Sequence, residues 1–113
     1  MAKMTIKEMR ERDAVKMAQR LSAEPTPAEI EAARHALRLF YKFGAAYLNS
    51  FYIDNDRSAT ERQIAAADAK EDKAYKKAAE ALKPYNLKIC CPGLYPVIDE
   101  LNGCNFTYGH YYN

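Results

Sequence analysis

The chain predicts an α+β fold, with three helices at about 6–21, 27–53 and 59–83 followed by a small C-terminal antiparallel β-sheet. Three observations predict it. Composition breaks at Pro84: residues 84–113 hold all three cysteines, three of the four glycines and three of the five prolines, but only three charged side chains, Lys88, Asp99 and Glu100. Ahead of the break, three segments of helical apolar period each begin with a Ser/Thr-x-x-Glu capping sequence. Behind it, Asn102-Gly103 is a strong hairpin signal, because both turn residues tolerate positive φ.

Thr5-Ile6-Lys7-Glu8 opens the first helix, whose apolar stripe is thin: Ile6, Met9, Ala14, Met17, Ala18 and Leu21. Pro25 and Pro27 separate it from the second. Thr26-Pro27-Ala28-Glu29 repeats the cap with proline at the first helical position, where a missing N–H costs nothing. Ile30, Ala33, Leu37, Phe40, Gly44, Leu48 and Phe51 form one face of the second helix; Ala36, Leu39, Phe43 and Tyr47 form another. From Leu39 onward it is apolar nearly all round, which predicts a central, buried helix. Gly44-Ala45-Ala46 is a flat spot where another backbone can come close.

Asp54-Asn55-Asp56-Arg57 reads as a turn, and Ser58-Ala59-Thr60-Glu61 as the third cap. The third helix is rich in Ala, Lys, Glu and Asp, its large apolar residues are Ile64, Tyr75 and Leu82, and Pro84 ends it. An antiparallel partner of the second helix, with much solvated surface, is expected. In the tail, a two-residue turn at Asn102-Gly103 pairs Leu101 with Cys104, Asp99 with Phe106 and Val97 with Tyr108. Leu87 to Cys90 supplies a third strand through the Pro92-Gly93-Leu94-Tyr95-Pro96 turn.

At 113 residues the chain is expected to form one domain, a helical body over 1–83 and an aromatic, β-rich part over 84–113. The net charge of +2 is too small to imply nucleic acid on its own. Only residues 1–22 are clearly basic, with six basic and three acidic side chains. No apolar run approaches the length of a membrane span, and no secretory leader is recognisable. Three cysteines cannot all pair with one another, so a cytoplasmic protein with free thiols and no membrane contact is expected.

Cys90, Cys91, Cys104 and His110 are donors that zinc accepts, but adjacent cysteines on a strand point to opposite faces. That spacing predicts no metal, and nothing in the sequence implies another cofactor. Asp54 and Asp56 share the i, i+2 spacing of calcium loops, yet the pattern then fails: no glycine follows at the sixth position, and Ala65 stands where the bidentate glutamate belongs. His35 sits between Arg34 and Arg38 as a surface residue. Neither histidine joins a serine or cysteine in a nucleophile motif, so no catalytic residue is assigned and no enzymatic activity is expected.

Two binding surfaces remain. The tail residues Tyr95, Tyr108, His110, Tyr111 and Tyr112 form an aromatic set of the kind enriched at protein interfaces. The basic residues Lys3, Lys7, Arg10 and Lys16 of the first helix form an alternative surface, suited to phosphates. A homodimer through the second helix or a free strand edge is compatible with either.

Pro92-Gly93-Leu94-Tyr95-Pro96, followed by a short strand, a glycine turn and an aromatic strand, resembles the C-terminal end of small proteins encoded by bacteriophages and prophages. The resemblance covers about the last quarter of the chain; the Cys90-Cys91 pair departs from it. It implies a short cytosolic accessory protein of a mobile element, of a kind that acts by binding and blocking a host protein, as anti-CRISPR and other anti-defence inhibitors do. The expected function is therefore non-enzymatic protein binding to a host partner. A nucleic-acid-binding regulator using the basic first helix is the alternative.

Overall fold

A computed structural model describes residues 3–91, 94–99 and 106–107. Helices α1 (Ile6–Ala18), α2 (Pro27–Asp54) and α3 (Glu61–Leu82) precede a 3₁₀ turn (Lys83–Tyr85) and strands β1 (Lys88–Cys90), β2 (Val97–Asp99) and β3 (Phe106–Thr107). The strands form one antiparallel sheet in the order β1-β2-β3. The α+β class and the three helices agree with the sequence; several boundaries and one register do not.

Thr5 and Thr26 each close a reciprocal capping box, with Glu8 and Glu29. The third cap is displaced by two residues. Thr60, not Ser58, caps α3, and its partner is Gln63. Ser58 is already committed to the preceding turn, where its amide and hydroxyl both donate to Asp56 Oδ1, at 2.9 and 2.7 Å. Those bonds hold the Asp56 carboxyl below its ordinary range. A serine serving an Asx-type turn is not free to cap the following helix.

α1 stops three residues short of the expected Leu21. The amides of Arg20 and Leu21 turn to carbonyls three residues back, on Met17 and Ala18, which tightens the final turn. Leu21 lies exposed, so a further turn of helix would bury nothing. Arg20 instead donates through Nε to the Tyr85 carbonyl at 2.8 Å, tying this corner to the end of α3.

α2 and α3 form an antiparallel hairpin. Ser50 Oγ donates to Asp68 Oδ1 at 2.6 Å, and seven residues back along α2 Phe43 meets Tyr75, seven residues on along α3, edge to face at 5.4 Å. One core lies on one side of this hairpin. Phe40, Phe43 and Leu37 of α2 and Leu82 of α3 meet Met17 of α1 and Leu87 and Ile98 of the tail. Each large apolar side chain removed from water here contributes roughly 1.5–3 kcal/mol. Asn86 in the left-handed region (φ 58°) reverses the chain after the 3₁₀ turn and aims Leu87 inward.

The hairpin register is one residue away from the expected one. Ile98 pairs with Phe106 and Val97 with Thr107; the expected partners were Asp99 for Phe106 and Tyr108 for Val97. A one-residue shift exchanges the two faces of a strand. On the other edge of β2, fully buried Ile98 lies opposite Ile89, and Asp99 lies exposed opposite Lys88. The Leu101–Cys104 pairing lies outside the described residues.

Candidate functional site: a lysine-lined groove on a basic helical face

α2 is central but not buried all round. Its core face carries Ala33, Leu37, Phe40 and Phe43; its opposite flank carries Lys42, Ala45 and Asn49, all exposed. Beside this flank α3 presents Lys70, Lys73 and Lys77, at the i, i+3, i+7 spacing of one helical stripe. Between the helices runs an open groove of about 650 Å³, lined by these residues with Leu39, Ala46 and Ala74. Its floor is apolar and shallow, and its rim is four ammonium groups. Among the described residues none of the four lysines has an ion-pair partner.

Asp68 and Glu71 of α3 lie on its other side, whereas Glu80 stands beside Lys77 and Leu39 at one end of the groove. Asp68 accepts from Ser50. Glu71 is half-buried near Asp68, and its carboxyl is pushed up first by burial and then by the Asp68 charge. The same neighbourhood reaches the tail: burial, with Cys91 and Glu71 close by, pushes the Tyr47 hydroxyl up. Partial desolvation, with Cys90 and Glu71 close by, does the same to the thiol of Cys91, a residue otherwise exposed. Along this stretch of α3, Lys70, Lys73 and Lys77 face the groove while Asp68 and Glu71 face Ser50 and the tail.

A second groove, of about 340 Å³, lies between α1 and α2. Two of the residues expected to touch phosphate, Lys7 and Arg10, line it; Lys3 and Lys16 are exposed but do not. Arg10 lies over the Tyr41 ring at 4.5 Å, a cation–π contact. Arg34 and Arg38, which flank His35 in the sequence, complete this groove. Arg34 forks onto Glu11 at 3.0 and 2.6 Å and also pairs with Glu31, and Arg38 reaches Glu31 at 2.9 Å. The Arg34 bond holds the Glu11 carboxyl low. Arg38 and Lys42 are one turn apart on α2, so the two grooves flank a single exposed strip and form one basic face.

Of the aromatic tail set, Tyr95 is half-buried and packs against the core. Tyr108, His110, Tyr111 and Tyr112 lie outside the described residues. Exposed His35 stands on α2. Cys90 and Cys91 are free thiols. Among the described residues no three His, Cys, Asp or Glu side chains are grouped to hold a metal, and no helix is long and apolar enough to cross a membrane.

The groove was missed because α3 has balanced charge and its lysines read as a solvated face. The available signal was their spacing: positions 70, 73 and 77 share a stripe that Asp68, Glu71 and Asp72 avoid and that Glu80 ends. No family model matches this chain, and neither a curated protein nor a solved structure matches it.

Proposed function

We propose that this is a non-enzymatic binding protein that docks on an acidic protein partner through the basic face of α1, α2 and α3. The observation that carries the reading is the set of four lysines around the α2–α3 groove with no carboxylate partner among the described residues. Exposed lysines paired with carboxylates are ordinary solvation; four that converge on an apolar floor without such a pair are arranged for an external anion. The phage-type resemblance of the tail agrees with a small accessory protein that binds and blocks a host protein.

The test is capture from nuclease-treated bacterial lysate with the wild type and with Lys42→Glu/Lys73→Glu/Lys77→Glu. A stoichiometric protein retained by the wild type and lost by the charge-reversed variant is the expected result. Equal retention by both rejects the basic face.

Nucleic acid is the second reading, favoured by one observation: Lys7 and Arg10 gain Arg34 and Arg38 as neighbours. Glu11 and Glu31 already pair with those two arginines, which weakens the field available to phosphates. If nucleic acid is nevertheless the ligand, affinity for a DNA duplex will fall steeply between 50 and 200 mM salt.

A further inference from the structure

We propose that the α2–α3 groove receives an acidic amphipathic helix of a protein partner. This deepens the function just proposed and rests on it. The first argument is shape. Two antiparallel helices leave a straight channel, and the lining runs from Leu39 to Asn49 on α2, about 15 Å at 1.5 Å per residue. That is close to three helical turns. A third helix is the element whose side-chain ridges fill such a channel.

The second argument is the floor. Ala45, Ala46 and Ala74 project nothing beyond a methyl group, so an incoming helix can approach closely, with its larger apolar residues settling against Leu39 and the alanines. A small apolar floor offers nothing to a phosphodiester backbone, which would meet only the lysine tips. The third argument is charge. Lysine stems lie along apolar surface and hold their ammonium groups at its edge. Lys42 on one wall and Lys73 and Lys77 on the other thus bracket the channel with cations. The complement is a helix with an apolar stripe at i, i+3 or i+4, and i+7, flanked on both sides by Asp or Glu. The α3 lysines repel one another while the groove is open, and bound carboxylates remove that repulsion.

The test is a display library of sixteen-residue helix-forming peptides selected against the intact protein. Enriched peptides are then synthesised and measured on two variants. Lys42→Glu/Lys73→Glu/Lys77→Glu reverses the rim. Ala45→Trp fills the channel at unchanged charge and, because Ala45 is exposed, leaves the core intact; circular dichroism checks its folding. The expected consensus is acidic and amphipathic, with affinity at least tenfold weaker on both variants. Peptides that lose affinity on the charge variant but bind Ala45→Trp as tightly overturn the groove while sparing the basic face. A DNA duplex that displaces the peptide and is itself blocked by Ala45→Trp makes nucleic acid the occupant and overturns the proposal. A wild-type dimer that Ala45→Trp converts to monomer in sedimentation assigns the groove to a second copy, and also overturns it. No lysine-dependent binding of any peptide or duplex rejects the groove as a helix site, and the lysate capture above then decides separately on the basic face.

Discussion

Glu71 shows how one residue's surroundings set a measurable property. Burial and the Asp68 charge make its folded state hold a proton to higher pH than the unfolded chain does. Where the folded state binds more protons, stability falls as pH rises. The loss begins near the ordinary value of 4.5 and is complete above the raised one. Glu71→Gln cannot ionise and escapes it. The variant is therefore expected to match the wild type near pH 4 and to exceed it at pH 7, by on the order of 0.5 kcal/mol, since the side chain is partly solvated. Urea denaturation at both pH values measures this; an advantage that does not grow with pH removes burial of the charge as its cause. Little of this could be read from sequence. Glu71, Tyr47 and Cys91 come together only when the tail folds back across the hairpin, and sequence distance hides that.

Elements were more legible than sites, and caps most of all, because a capping box is a contact between residues three apart and needs no tertiary structure. The one displaced cap shows the limit. Both Ser58 and Thr60 head acceptable boxes, and Asp56 decides between them by engaging Ser58 first. Thr60→Ala is therefore expected to cost about 1 kcal/mol, the usual value of an N-cap. Ser58→Ala touches only an exposed turn and should stay within about 0.5 kcal/mol. Urea titration of the two variants decides, and the opposite ranking would restore Ser58 as the cap. The sheet register was less legible for a different reason. Turn chemistry argues locally for one pairing, whereas Ile98 is placed by the core it meets, to which α1, α2 and α3 all contribute. The exposed flank of α2 was hidden in the same way. Its apolar length suggested complete burial, yet α1 and the tail join a core on one side only, leaving Lys42, Ala45 and Asn49 exposed.

The described residues measure 51 × 35 × 24 Å. A helix the length of α2 accounts for about 42 Å of the long dimension. So thin a body has a large face for its mass, and the groove lies on that face. Lys73 and Lys77 stand at i, i+4, where like charges destabilise a helix, and Lys70 is three residues before Lys73. If the lysines served folding, reversing one would harm it; if they await an external anion, reversing one removes repulsion. Lys73→Glu places a carboxylate between Lys70 and Lys77. It is expected to leave stability unchanged or to raise it by about 0.3–0.5 kcal/mol, while weakening partner binding at least tenfold. Opposite signs for stability and binding are the mark of residues kept for function at a small cost to the fold. Urea denaturation and a binding titration on this one variant measure both. A loss of more than about 1 kcal/mol, well outside the usual range for a surface substitution, would make the lysine stripe structural and remove the main support for the basic face as a binding surface.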